Sequence, residues 1–154
     1  MLIVGCGNRE RADDAAGLLV IEKLRELGAE GMGATLATCT GDWTELLQSW
    51  GPDDEVILVD AVVTGSPPGT VHLWEDELPA AAQDCATSTH GFGIQEALRL
   101  ARAIGRLPRA LRIYGIETRQ FETGRCLSRE VECAITDLTQ KIRTEILATQ
   151  RCQV

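Results

Sequence analysis

The chain opens with a strand, a glycine-rich turn and the start of a helix, which together predict the first half of a β–α–β unit. Leu2–Val4 is an apolar run whose length and branching are typical of a buried strand. Gly5 and Gly7 then allow a sharp turn or the close approach of another group. Two adjacent carboxylates, Asp13 and Asp14, follow where the first helix is expected to begin.

The remainder of the chain continues to alternate strands with helices. Further strands are predicted at about 34–39, 55–60, 70–74 and 111–116. Helices are predicted at about 14–27, in a short segment after Asp42, and from Ser128 onwards. A further helix is predicted to follow His90 and to end at about Ile104. The apolar run before Asp60 indicates a strand buried on both faces, as in a parallel sheet, whereas the alternating segment 70–74 indicates an edge strand. The order predicts an α/β fold, a three-layer α/β/α sandwich with a mostly parallel twisted sheet.

Local signals predict where the first and last helices begin and end. Asp13 or Asp14 is expected to cap the N-terminus of the first helix, and Gly28 to follow its C-terminus. Ser128 is expected to cap the last helix. The 154 residues fit a single domain, residues 1–154, with a frayed tail from about residue 150.

Composition excludes several classes of function. A formal net charge of −8 argues against a nucleic-acid surface, which needs clustered Lys and Arg. No apolar run approaches the length of a membrane span, and no secretory signal precedes the first strand. The six cysteines contain no C-x-x-C pair and suit reduced cytosolic thiols. We therefore expect a cytoplasmic protein, monomeric and without a membrane span or a nucleic-acid partner.

Candidate ligands of a metal ion follow from the expected topology, because α/β folds bind ligands beyond the carboxyl ends of their strands. Asp13 and Asp14 follow the first strand, Asp60 ends the central strand, and His90 opens a helix at the same rim. Carboxylate and imidazole together suit zinc, nickel, iron or manganese. Each of these residues could instead have a purely structural role, such as capping a helix or accepting a hydrogen bond from loop amides. His72, on the edge strand, is expected to be solvated.

The first turn has two other conceivable uses. A dinucleotide-binding turn asks for a third glycine where this chain has Glu10, and the adjacent carboxylates would repel a pyrophosphate. We therefore reject dinucleotide binding. A thiol nucleophile at Cys6, with His90 as its base, remains open at this point, although no third residue is evident to orient the base.

The combined pattern resembles the maturation endopeptidases of [NiFe] hydrogenases. It consists of Gly5-x-Gly7-Asn8, Asp13-Asp14-x-x-Gly17, Asp60 after an apolar strand, and Ser/Thr-x-His90 at a helix start. The resemblance extends across nearly the whole chain and includes Gly115-Ile116 and Leu127-Ser128. No single piece of the pattern is specific, but the order and spacing together are.

The resemblance implies an endopeptidase that removes a C-terminal extension from the precursor of a hydrogenase large subunit after nickel insertion. It implies that Asp14, Asp60 and His90 are the metal ligands and the catalytic residues. The nickel would be supplied by the substrate, and another divalent metal could replace it in vitro. The family often has Glu at position 14, so Asp14 has a shorter reach. The segment 115–122 lacks the proline that is frequent in the family.

Two other functions fit the same three residues. One is a non-enzymatic checkpoint or chaperone that binds the nickel-loaded precursor without cutting it. The other is a small-molecule metallohydrolase with a resident metal ion. If the protein is a peptidase, the metal could polarise the scissile carbonyl or activate water, or it could serve only for recognition.

Overall fold

A computed structural model describes residues 1–10, 12–77, 94–119 and 126–152 of the protein. The strands are β1 (Leu2–Cys6), β2 (Thr35–Cys39), β3 (Glu55–Val62), β4 (Val71–Glu75) and β5 (Ala110–Glu117). The α-helices are α1 (Ala16–Glu26), α2 (Trp43–Gln48), α3 (Ile94–Ala103) and α4 (Arg129–Cys152). Short 3-10 turns cover Ala12–Ala15 and Ala29–Met32.

The described strands form one sheet of five in the order β2-β1-β3-β5-β4. The pairs β1–β2, β1–β3 and β3–β5 are parallel, and β4 pairs antiparallel with β5 at the edge. The predicted mostly parallel sheet and the predicted edge strand are therefore confirmed. The parallel arrangement brings the carboxyl ends of β1, β3 and β5 to the same rim of the sheet.

Helices cover both faces of the sheet, which confirms the predicted three-layer sandwich. On one face, α1 and α4 pack on residues of alternate strand positions such as Ile3, Ile57 and Ile116. On the other face, α2 and α3 pack on Val4, Leu58 and Ile113. The apolar residues that recur at helical spacing along α3 form a buried stripe, and all of them are buried: Ile94, Ala97, Leu98 and Ala101.

Several element boundaries differ from the sequence-based expectations. β3 does not end at Asp60 but continues to Val62, because β5 supplies partners as far as Glu117. The prediction that Asp13 or Asp14 caps the first helix is wrong: α1 has Ala15 at its N-cap and no side-chain cap hydrogen bond. The expected frayed tail is helical as far as Cys152, and residues 153–154 lie outside the described part of the chain.

Other local signals are confirmed. Gly28 follows α1 in a left-handed conformation with φ of 73°. The Asp42 carboxylate accepts hydrogen bonds from the amides of Thr44 and Glu45, as expected of an N-cap. Within the described ranges, no helix has the length and apolar character that crossing a membrane requires.

Candidate active site

Asp14 is placed at the rim by a backbone turn that requires glycine. Gly7 has φ of 146°, and a Cβ atom there would lie only 2.0 Å from the carbonyl oxygen of Asp14. The same carbonyl accepts a hydrogen bond of 3.2 Å from the amide of Asn8. The glycine turn predicted from the sequence therefore holds the 3-10 turn that carries Asp14 against the end of β1.

The start of α1 lies directly against the carboxyl ends of β1 and β3. A Cβ atom at Gly17 would lie 2.3 Å from the carbonyl oxygens of both Cys6 and Val59. Any side chain at position 17 would push the helix away from the sheet, because such a distance is far below van der Waals contact. Val59 immediately precedes Asp60, so this close approach brings the turn with Asp14 to the Asp60 side chain.

The Asp60 carboxyl group titrates near neutral pH. Burial, together with the negative charge of Asp14, raises its pKa to about 7, even though the Ala61 amide donates a hydrogen bond to it. That bond joins the Ala61 nitrogen and Asp60 Oδ1 at 2.9 Å. Two carboxylates that repel one another at a rim would both be stabilised by a divalent cation, whose ligands in proteins include such oxygens. The described donors therefore fit the predicted cation site.

Asp13 serves a structural purpose. Its carboxylate accepts hydrogen bonds from the backbone amide of Ser128 at 2.9 Å and from the Ser128 hydroxyl at 3.1 Å. Asp13 is buried, with 7% of its surface exposed. Of the two adjacent carboxylates, Asp13 ties the first turn to the residue that precedes α4, and Asp14 is the one paired electrostatically with Asp60.

His90 lies outside the described residues, so its position as the third ligand stays a prediction. Among the residues that the structure does describe, no group of three His, Cys, Asp or Glu side chains is arranged to hold a metal ion. Asp14 and Asp60 are thus two donors of an expected set of three. The nickel ion itself also stays a prediction.

Cys6 does not fit the role of a nucleophile. It is 1% exposed, and a hydrogen bond from its thiol to Cys39, together with burial, raises its pKa well above the usual value. Cys6 and Cys39 are register partners on β1 and β2. The same thiol–thiol hydrogen bond lowers the pKa of Cys39 to about 7. No local pattern in the sequence pointed to Cys39, because the pairing of these two strands creates its environment.

An aromatic pair lies beside Asp60 on the same face of the sheet. Gly115 pairs with Asp60 on one side and with His72 on the other. A Cβ atom at Gly115 would lie 2.6 Å from the Trp74 ring, so the glycine leaves room for the indole. The His72 ring stacks on Trp74 with centroids 5.2 Å apart and an interplanar angle of 6°. The prediction of a solvated His72 is wrong, since its ring is half-buried and forms a hydrogen bond with the Glu117 carboxylate.

Glu117 anchors the loop after β3, and sequence reasoning missed it. Its carboxylate is 1% exposed and accepts hydrogen bonds from the Thr64 amide at 2.7 Å, the Gly65 amide at 3.0 Å and the Thr64 hydroxyl at 2.7 Å. His72 Nε2 lies 3.0 Å from the same carboxylate. Although burial acts to raise the pKa of Glu117, these hydrogen bonds outweigh it and hold the pKa below its usual value. Its position at the end of β5 was the available signal.

Comparison with known proteins identifies the class. A family model described as hydrogenase maturation protease, HycI, matches residues 38–145, which is more than half of the chain. The chain belongs to this family of peptidases.

Individual relatives agree with the family. The hydrogenase expression/formation protein HoxM of Azotobacter vinelandii is 31% identical over 96% of this chain and 72% of its own length. The hydrogenase 2 maturation protease of Escherichia coli K12 is 26% identical over 92% of this chain and 87% of its own length. The structure of the hydrogenase maturating endopeptidase HybD from Escherichia coli superposes with a TM-score of 0.74, at 25% identity, over 99% of this chain and 92% of that one.

Proposed function

We propose that this protein is an endopeptidase that removes a C-terminal extension from the precursor of a [NiFe]-hydrogenase large subunit after nickel insertion. Membership of the maturation protease family supports the peptidase activity and the class of substrate. In this proposal the nickel arrives as part of the substrate, and Asp14, Asp60 and His90 recognise it. The expected cytoplasmic location stays a prediction.

The observation that carries the proposal is the coupled pair of carboxylates at the rim. The negative charge of Asp14 is one of the causes that raise the pKa of Asp60 to about 7, so the two carboxyl groups interact electrostatically across the rim. A precursor that presents nickel would bring a positive charge to both groups, whereas a precursor without nickel would not. Differential binding of this kind favours the loaded precursor.

The same pair offers a group that can move a proton at neutral pH. A carboxyl group with a pKa of about 7 exchanges its proton readily under physiological conditions, which suits a general base or a ligand that deprotonates on docking. His90, if it completes the set, would need its neutral form to serve as a ligand.

The proposal is tested by incubating the protein with nickel-loaded and nickel-free precursor and measuring the mass of the large subunit. We expect shortening of the loaded precursor alone. His90→Ala and Asp60→Asn should each reduce processing by at least about a hundredfold while far-UV circular dichroism is unchanged. Asp137→Asn, an exposed position on α4, is the matched control.

The outcomes separate this function from the alternatives. If the precursor binds in a nickel-dependent way but is not shortened, the protein would be a non-enzymatic checkpoint or chaperone. Stoichiometric metal in the protein as purified, together with no effect on the precursor, would instead indicate a small-molecule metallohydrolase. Full processing by either variant would remove that residue from the site.

A further inference from the structure

A cavity of about 460 Å³ opens beside the carboxylate rim, beyond the ends of β3 and β5. Its wall includes Val63 and Pro67 from the loop after β3, and Thr118 and Arg119 after β5. Val63 lies three residues beyond Asp60, which corresponds to about 10 Å of extended chain. An extended peptide bound at Asp60 would reach this cavity with about three residues.

The loop that forms one side of the cavity is held in place by several independent contacts. The buried Glu117 carboxylate binds the amides of Thr64 and Gly65, and the Glu117 carbonyl accepts from the Gly69 amide at 2.9 Å. The Glu117 amide donates in turn to the Thr70 carbonyl at 2.8 Å. Because the loop is already ordered, binding at this cavity does not require the entropy cost of ordering it.

The charges around the cavity favour an anionic ligand. The Glu117 carboxylate is occupied by two amides, a hydroxyl and the His72 ring, so its charge is compensated within the protein. Arg119 is exposed at the cavity, and the described residues offer it no ion pair. The cavity therefore presents an apolar side with prolines, a few polar groups and one guanidinium.

We propose that this cavity binds a carboxylate-bearing segment of the precursor's C-terminal region and that Arg119 pairs with the carboxylate. The inference rests on the proposed function, because that function supplies a peptide next to Asp60. A guanidinium with an apolar surface beside it is suited to a carboxylate, which it can bind through two hydrogen bonds. Glu117 and His72 act as positioning residues, since they hold the loop. Glu117 also lines the cavity, but its carboxylate oxygens are already hydrogen-bonded within the protein.

The test measures binding of a fluorescein-labelled synthetic peptide that comprises the C-terminal residues of the precursor. Fluorescence anisotropy should give a Kd about tenfold weaker for Arg119→Gln than for the wild-type protein, with partial recovery in Arg119→Lys. Arg106→Gln removes an exposed arginine at the other end of β5 and should leave the Kd unchanged. Ser66→Trp should fill the cavity and weaken binding, with circular dichroism confirming the fold.

Two peptide variants distinguish the source of the carboxylate. An amidated C-terminus removes the terminal carboxylate, and replacement of Asp and Glu by Asn and Gln removes the side-chain carboxylates. The carboxylate that pairs with Arg119 is the one whose removal from the peptide weakens binding to the wild-type protein about tenfold. Its removal should leave binding to the Arg119→Gln variant unchanged. If neither removal has an effect, or if Arg119→Gln binds as tightly as the wild-type protein, the inference is overturned.

The binding assay is independent of cleavage. If the wild-type protein fails to shorten the nickel-loaded precursor but the peptide shows the expected dependence on Arg119, the proposed function fails and the carboxylate site is supported. If the precursor is shortened but the peptide binds equally well to every variant, the function is supported and the carboxylate site is overturned.

Discussion

At the scale of single residues, Asp60 combines two features that raise the free energy of a carboxylate in a folded protein. It is half-buried, and Asp14, whose charge acts on it across the rim, carries the same sign. Both features favour the protonated form, and the amide hydrogen bond from Ala61 compensates only in part. Such a residue reduces stability in the isolated protein, which is typical of a side chain that is placed for binding rather than for folding.

This arrangement predicts a pH-dependent stability. The pKa of Asp60 is about 7 in the folded protein and 3.8 in a model peptide, so the folded state binds more protons between these values. Stability is therefore lost as the pH rises from about 4 through 7. Asp60→Asn removes this loss, and its free energy of unfolding relative to the wild-type protein should increase by about 1–3 kcal/mol between pH 5 and pH 8.

Urea unfolding of both proteins at pH 5, 6, 7 and 8 provides the measurement. Asp137→Asn makes the same substitution at an exposed position on α4 and serves as the control. A constant difference between Asp60→Asn and the wild-type protein across this range would show that the carboxyl group titrates normally.

The residues of the rim were only partly predictable from the sequence. Asp14 and Asp60 were found because one follows the first strand and the other lies near the end of a strongly apolar strand. Glu117 occupies a corresponding place after β5, but its partner Thr64 is 53 residues away in sequence. The elevated acidity of Cys39 depends on Cys6 across the β1–β2 pairing. Spacing along the chain cannot show such contacts.

At the scale of secondary structure elements, a polar contact connects the first turn to the residue that precedes the last helix. Asp13 accepts from both the amide and the hydroxyl of Ser128, 115 residues later. The contact adds to the apolar packing of α1 and α4 on the same face of the sheet. It also fixes the 3-10 turn that contains Asp14, and it therefore couples the position of the rim carboxylate to α4.

A double-mutant cycle should detect this coupling. Asp13→Ala leaves the partly buried Ser128 amide without its acceptor and should cost about 1–3 kcal/mol, whereas Ser128→Ala should cost about 0.5–1.5 kcal/mol. Because both changes remove the same hydroxyl–carboxylate bond, their combined effect on the free energy of urea unfolding should be at least about 0.5 kcal/mol less than additive. Thr136→Ala, which changes an exposed position on α4, should add independently to either change. Strict additivity of Asp13→Ala and Ser128→Ala would contradict the proposed coupling.

The elements themselves followed from the sequence better than their boundaries did. Helical periodicity identified the buried faces, as the stripe of α3 shows, because burial on one side of a helix is a local pattern. The start of α1 was misplaced because the two carboxylates resemble an N-cap. In the folded protein Asp13 instead has a distant partner, so a tertiary contact overrides the local signal.

At the scale of the whole molecule, the parallel sheet gathers the candidate groups along one rim. Asp60, Gly115 and His72 share a row across β3, β5 and β4, and the cavity with Arg119 lies beyond the same strands. The sequence predicted this rim through the α/β topology, but not the cavity, which is formed jointly by the loop after β3 and the end of β5. The rim would thus offer a precursor two separate contacts, one for its nickel and one for a carboxylate.

Two contacts of this kind should contribute independently to binding of the precursor. Asp14→Asn should weaken binding of the nickel-loaded precursor and leave the nickel-free form nearly unchanged, because in the proposed function its carboxylate recognises the cation. Arg119→Gln should weaken both forms by the same factor of about ten, since its partner is on the peptide. For the double variant, the two factors should multiply on the loaded precursor, as expected of sites that share no partner.

Biolayer interferometry with immobilised precursor, loaded or free of nickel, measures binding of the wild-type protein, the two single variants and the double variant to both forms. Arg106→Gln controls for a simple loss of positive charge. The comparison separates the two contacts because nickel is varied while the peptide is kept constant. An Arg119→Gln effect confined to the loaded precursor would mean that Arg119 depends on the nickel contact. A double variant no weaker than Asp14→Asn alone would lead to the same conclusion, and the rim would then bind its substrate as one cooperative unit rather than through two separate contacts.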